Sequence, residues 1–238
     1  MKHLVQRALR GLGWEVKRFR PNSSKWAQLQ RMLSTHEINL VIDVGANTGQ
    51  YARALRQCGF KGRIVSFEPL PQAYSRLAHN ARHDHLWTVF PPTAIGDVEG
   101  VIDINISGNT VSSSVLPILQ THVKTAPKSA YVATESVPIT RLDSVWPGLC
   151  HPGDKGFLKI DVQGFEMEVL KGTSSVISQI RGLEIELSLV PLYARQELYD
   201  RMVEYIGKLG FELWSLSPEL ADNESGRLLQ LDGVFFRP

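Results

Sequence analysis

The chain has 238 residues, enough for one domain with a sizeable core. Its apolar content of 43% is that of an ordinary globular protein, and a net charge of +2 is too small to call for a nucleic-acid partner. No apolar run is long enough to span a bilayer, and Cys58 and Cys150 lack metal-ligand spacing, so the expectation is a cytoplasmic protein with two reduced thiols.

Residues 1–36 read as a basic, helical N-terminal extension packed on the core, and residues 37–238 as the main domain. Leu4, Val5, Ala8, Leu9 and Leu12 fall at helical spacing with Lys2, Arg7 and Arg10 between them. Those charges rule out a secretory signal. Two readings stand, a short helix against the domain edge, which is favoured, and peripheral contact with an anionic membrane surface. A helix is predicted over residues 22–36, with Trp26, Leu29, Met32 and Leu33 on one face and Ser23 or Ser24 as its cap.

Residues 40–44 are a buried strand running into Gly45-Ala46-Asn47-Thr48-Gly49, and a helical pattern of Tyr51, Ala52, Leu55 and Cys58 follows. Such a turn lets a ligand approach bare backbone N–H groups. A second strand over residues 63–68 ends in Glu68-Pro69, and a helix over 71–82 has Pro71 in its first turn. The third strand, residues 87–90, is open to extension as far as Ile95. Residues 101–106 alternate as a half-buried strand, 107–114 read as a mobile loop, and 107–130 as a loop with a short helical lid. The strand over 135–140 contains Pro138 and is expected at an edge. A fourth central strand, residues 157–161, leads into a helix from 164 to 171, and a fifth covers 183–189. A helix over 193–209 ends at Gly210, and strands 211–216 and 229–236 have no helix between them. The pattern predicts an α/β protein, doubly wound, with a mostly parallel sheet and an antiparallel C-terminal strand pair.

An acid at the end of the second strand is where a ribose diol is gripped, which singles out Glu68. Its rival duty is capping the helix that starts near Pro71. The phosphate fingerprint Gly-x-Gly-x-x-Gly is absent, because residue 47 is Asn, and the turn has no Lys or Arg. A nucleoside with a ribose and no phosphate fits, and S-adenosylmethionine (SAM) is such a ligand. Its ammonium suits Asp43, whose rival duty is bonding loop N–H groups, and its carboxylate suits the helix start. Ala94, Ile95 and Gly96 offer the adenine apolar surface, and Asp97 offers an acceptor or is simply a turn acid.

Taken together, DVGANTGQ at 43–50, the SFEP strand and LKIDVQGFEMEVLKG at 158–172 resemble the FkbM family of SAM-dependent methyltransferases. The likeness runs from about Leu40 to the C-terminus and includes Ala94-Ile95-Gly96, Ser107-Gly108-Asn109, Leu142-Asp143, Glu186 and Leu192-Tyr193. It departs at Gln163, where many members of that family carry Glu. The resemblance implies a seven-stranded Rossmann-like sheet of the class I methyltransferase type and O-methylation of a hydroxyl on a sugar, glycolipid, polysaccharide or secondary metabolite. The partner implied is thus a small-molecule or glycan acceptor. An N-methyltransferase, or one acting on a peptide or polyketide scaffold, stands as the alternative. A nicotinamide-dependent oxidoreductase and a non-catalytic SAM-binding subunit are rivals from other classes.

Asp161 is the first choice for general base or acceptor anchor and is also placed beside the cofactor; its bland duty is capping the next helix. Glu186 is the second candidate. Glu166, in a helix's first turn, is favoured there by the dipole alone. Lys159 shares a strand face with Asp161 and is expected to pair with Glu184 or Glu186. His79, His83 and His85 read as a frayed helix end, so no resident metal is expected, although Asp161 and Glu186 have the oxygens a hard cation takes.

Overall fold

The computed structural model describes residues 7, 9, 11–14, 16 and 18–238. Apart from Arg7, Leu9 and Leu12, the amphipathic pattern at the start of the chain lies outside the described residues. Among the described residues no helix is long and apolar enough to cross a membrane.

The elements follow in the order α1 Lys25–Thr35, β1 Leu40–Val44, α2 Gln50–Gln57, β2 Arg63–Phe67, α3 Pro71–Ala81, β3 Trp87–Val89, β4 Ala94–Ile95, β5 Gly100–Ser107 and α4 Gln120–Thr125. The second half contains β6 Tyr131–Thr140, α5 Leu142–Leu149, β7 Gly156–Ile160, α6 Glu166–Lys171, β8 Ile180–Ser188, α7 Tyr199–Lys208, β9 Glu212–Ala221 and β10 Leu228–Phe236. A seven-stranded sheet runs β3-β2-β1-β7-β8-β10-β9, parallel from β3 to β8, with β10 antiparallel to both its neighbours. The predicted architecture is therefore the observed one. A second sheet, β4-β6-β5, stands beside it.

Strand parity divides the core. Leu40, Ile42 and Val44 of β1, with Leu158 and Ile160 of β7, face a cluster closed by Trp146 of α5, Leu170 of α6 and Ile206 of α7. Val41 and Phe157 face the other way, against Leu29 and Leu33 of α1 and Leu55 of α2. Burying each such side chain contributes about 1.5–3 kcal/mol. Period two then puts Asp43, Lys159 and Asp161 on the α1–α2 side of the sheet. Register carries the row onward: Asp43 pairs with Ser66 and Lys159, Lys159 with Glu184, and Glu186 with Asp232.

Three expectations need correction. Strand three does not reach Ile95, because Pro91 and Pro92 carry no N–H for a ladder, and Ala94–Ile95 joins the second sheet. Pro138 does not keep β6 at an edge, since β4 lies on one side and β5 on the other. The two-residue β4 pairs only with Ile139 and Thr140, so Pro138 escapes that ladder. The helix expected from residue 193 starts at Tyr199. Gln196 Oε1 accepts the N–H groups of Leu192 and Tyr193, and Arg195 has φ of 64°, so the side chain competes with the helix for its first turn. Helix α5, which no expectation from the sequence covered, contains Pro147 within its last turn.

Candidate active site

The turn after β1 is fixed from three directions. Gly45 has φ of +81°, and a Cβ there would lie 1.8 Å from the carbonyl oxygen of Asp161, so only glycine lets β1 and β7 end side by side. The N–H groups of Gly45 and Ala46 donate to Phe67 O at 3.1 and 2.9 Å. Gly49, at φ of +83°, sits against Trp87, with no room for a side chain. Between the two glycines Asn47 has φ of 46°, and its N–H donates to Glu68 Oε2 at 2.8 Å. The other oxygen of Glu68 accepts Leu70 N–H at 2.9 Å. Glu68 thus ties the β1 turn to the residue that precedes helix α3, which has no side-chain cap of its own, and a carboxylate with about four lone-pair sites keeps capacity for a ligand hydroxyl. Burial pushes its carboxyl up to about 7 despite those two N–H donors.

A cavity of about 290 Å³ opens at these strand ends. One half is walled by Gly45, Ala46, Asn47, Glu68, Pro69 and Ile95, all expected from the sequence. Asp161 and Glu186, also expected, line the other half. Four expected residues lie outside the lining. Asp43 is fully buried one residue before the strand end, where it accepts Ser66 Oγ at 3.1 Å and its Oδ1 has no partner among the described residues. Its carboxyl is raised to about 6 by burial, against the pull of Lys159 and Ser66. It bonds none of the loop N–H groups proposed as its alternative. Thr48 turns away from the cavity and Gly49 packs on Trp87, while the backbone oxygen of Asp97 accepts Arg141 Nη1 at 2.7 Å beside the second sheet.

The second half of the cavity is a hydrogen-bonded group of side chains. Lys159 Nζ lies 2.8 Å from Asp161 Oδ2, so its partner is Asp161 and not Glu184 or Glu186. Glu184 is instead engaged by the Tyr51 hydroxyl. Gln163 bridges the two expected acids, since its Nε2 donates to Asp161 Oδ1 at 2.7 Å and Glu186 Oε2 at 2.9 Å. Tyr193, fully buried, donates its hydroxyl to Gln163 Oε1 at 2.8 Å, and Gln230 Nε2 donates to Glu186 Oε2 at 2.8 Å. Burial favours a proton on Asp161, but the Lys159 ammonium and the Gln163 amide outweigh it and hold the carboxyl below its ordinary value. Glu186 has no such ammonium contact, and burial with the neighbouring Asp161, Glu166 and Asp232 raises its proton affinity well above the ordinary. Asp161 caps no helix: α6 begins without a side-chain cap, and Glu166 accepts the N–H groups of Val162 and Gly164 at 3.1 and 3.0 Å. Those bonds, rather than the helix dipole alone, explain Glu166.

Residues 107–114 reach across the opening. Asn47 Nδ2 donates to Thr110 O at 3.4 Å, Ser114 Oγ donates to Gln163 O at 2.6 Å, and Thr110, Val111 and Ser113 line the cavity. Lining residues the sequence did not single out are Lys25, Trp26, Tyr51, Glu219 and Asp232. Trp26 was read only as an apolar helix position, and nothing local marks Glu219 or Asp232. Among the described residues no group of three or more His, Cys, Asp or Glu is arranged to hold a metal ion.

Residues 43–213 match the family described as Methyltransferase FkbM domain. The chain belongs to that family. Among curated relatives of this FkbM domain, hexuronic acid methyltransferase AglP of Haloferax volcanii is 24% identical over 155 residues, 63% of this chain and 56% of that one. The 2-O-methyltransferase NoeI of Sinorhizobium fredii is 27% identical over 168 residues, 68% of this chain and 65% of that one. The chain therefore spans less than two thirds of either relative. A solved structure, magnesium protoporphyrin IX methyltransferase from Synechocystis PCC 6803 with bound SAM, is 12% identical with a TM-score of 0.49, covering 90% of this chain and 78% of that one.

SAM is the cofactor of FkbM methyltransferases, and the residues present fit it. The glycine turn leaves backbone exposed, Glu68 has unused acceptor sites at the end of β2, and Ala94 and Ile95 give an apolar wall beside them.

Proposed function

We propose that the chain is a SAM-dependent O-methyltransferase acting on a hydroxyl of a sugar, glycan or related metabolite, and that residues 37–238 form its transferase domain. The observation that carries this is the Asp161–Gln163–Glu186 bridge, two carboxyl groups of the cavity lining tied through one amide. The names of the two relatives, one a hexuronic acid methyltransferase and one a 2-O-methyltransferase, support the same reading.

In this reading Gly45, Ala46, Asn47, Glu68 and Ile95 hold SAM, which when bound supplies an activated methyl group. Asp161, fixed by Lys159 and Gln163, anchors the acceptor. Holding the hydroxyl in line supplies most of the rate, since orientation alone is worth about 7–11 kcal/mol. Glu186 takes the hydroxyl proton: its Oε1 accepts no side-chain amide, and burial beside other acids raises its affinity for a proton above that of Asp161. Asp161, the first choice from sequence, is the weaker base for the same reason its charge is stable. The segment 107–114 closes the opening and keeps water from the reacting atoms.

The test is methyl transfer from SAM to a panel of glycosides, followed by mass spectrometry of product and S-adenosylhomocysteine. Glu186→Gln is expected to keep cofactor affinity and lower turnover about 10²–10⁴-fold. Glu68→Ala is expected to weaken cofactor binding by about 1–3 kcal/mol. Near-normal turnover in Glu186→Gln would remove Glu186 as base, and failure to bind SAM would end the reading.

A further inference from the structure

Four residues of the cavity lining come from outside the matched family segment. Lys25 and Trp26 belong to α1, Glu219 to β9 and Asp232 to β10, whereas the match covers residues 43–213. These parts add one ammonium and two carboxyl groups to the cavity lining.

Five carboxyl side chains line this end, those of Asp161, Glu184, Glu186, Glu219 and Asp232, against two ammonium groups. Both ammonium groups are already paired: Lys159 lies on Asp161 at 2.8 Å, and Lys25 is bridged to Glu219 and, at 3.4 Å, to Asp232. Glu184 is 5% exposed, and while Tyr51 occupies its Oε2, its Oε1 has no hydrogen-bond partner among the described residues. Glu186 repeats the pattern, with both glutamine amides on Oε2 and none on Oε1. Neither Oε1 is among the buried unpartnered atoms, so both are open to the cavity, where a ligand's hydroxyl or ammonium hydrogens can reach them. Beside them Trp26 and Tyr51 line the same cavity with ring centroids 5.6 Å apart at 52°, so an aromatic surface faces the acids. An aromatic face takes the apolar C–H side of a sugar ring and also attracts an ammonium group.

We propose that the acceptor is a neutral or amine-bearing sugar ring that stacks on Trp26, donates hydrogen bonds to Glu184 and Glu186, and is chosen against acid sugars by Glu219 and Asp232. A uronate would bring one more carboxylate to a wall already crowded with acids, where both ammonium groups are paired. The proposal rests on reading the cavity as a sugar O-methyltransferase site.

The full chain saturated with S-adenosylhomocysteine is titrated by saturation-transfer NMR with three methyl glycosides of one ring, the glucoside, the glucosaminide and the glucuronide. Binding of S-adenosylhomocysteine is measured first, so that failure of the cofactor reading is seen separately. The glucoside and glucosaminide are expected to bind and the glucuronide to bind at least about tenfold more weakly, because like charges placed together are strongly disfavoured. Trp26→Ala is expected to weaken all three. The double substitution Glu219→Gln with Asp232→Asn releases Lys25 and is expected to bring the glucuronide up toward the glucoside, a gain that misfolding cannot imitate. Glucuronide binding equal to or tighter than glucoside binding in the unaltered protein overturns the proposal. So does a protein that holds S-adenosylhomocysteine and binds none of the three rings, or a double variant with no gain for the glucuronide.

Discussion

Replacing Lys159 by Met keeps the length of the side chain and removes one charge from the middle of the sheet. The lysine side chain is 8% exposed, its Nζ lies 2.8 Å from Asp161, and its register neighbours are Asp43 and Glu184. Without the ammonium, three acids share one layer with no countercharge between them. Breaking a buried ion pair from one side costs about 3–5 kcal/mol. The lower end applies here, about 3 kcal/mol, because the Asp161 side chain is 35% exposed and water screens its charge. With a guanidinium slope of about 5 kcal/mol per M for a chain of this size, the unfolding midpoint should fall by about 0.6 M. Adding Asp161→Asn to the Met variant removes the orphaned carboxylate and should recover part of that loss, so the double-mutant cycle isolates the pair. A midpoint shift below about 0.2 M, or no recovery in the double variant, would refute the electrostatic account of this layer.

Gly45→Ala should lower the melting temperature by at least about 3 °C, since φ of +81° alone costs about 1–3 kcal/mol and the new Cβ meets the Asp161 carbonyl; an unchanged melting curve would contradict the close approach of β1 and β7. Burial raises the carboxyl groups of Glu68, Glu166 and Glu184 from 4.5 to about 7, so the folded protein binds more protons than the unfolded chain between those values. Their stabilisation is complete below about pH 4.5 and is lost as the pH rises through 7, so denaturant unfolding should show less stability at pH 8 than at pH 5.5, by at least about 1.4 kcal/mol. The reverse order would show that these acids are ionised without penalty. Hydrogen exchange in residues 107–114 should slow when S-adenosylhomocysteine and a glycoside acceptor are both bound, and equal exchange in the free protein would count against closure by this segment.

What could be read in the sequence was what the chain builds locally. The β1 turn, Glu68 and the β7–α6 turn each lie within one strand–turn–helix unit, so glycine placement and a terminal acid announce them. Asp43 misled because an acid near a strand end reads as facing the ligand, whereas it lies one residue short of that end and is fully buried beside Ser66 and Lys159. Asp97 misled because Pro91 and Pro92 lead the chain into the second sheet before it reaches that acid. Trp26, Glu219 and Asp232 had no local signal at all. They meet the cavity because α1 packs over one face and β10 enters between β8 and β9, contacts made by residues nearly two hundred positions apart.

The two strained turns bear on how lost activity is diagnosed in such domains. Asn47 and Gln163 both hold left-handed backbone, at φ of 46° and 58°, and each turn is fastened by a buried glutamate, Glu68 on the Asn47 N–H and Glu166 on the Val162 and Gly164 N–H groups. A descendant that had given up chemistry would still need both glutamates to keep its shape. Glu186 accepts only side-chain amides, from Gln163 and Gln230, so drift would erase it first. On the proposed function, the acid after the second strand would persist for folding as well as for the cofactor, and a pseudoenzyme would be recognised first at position 186.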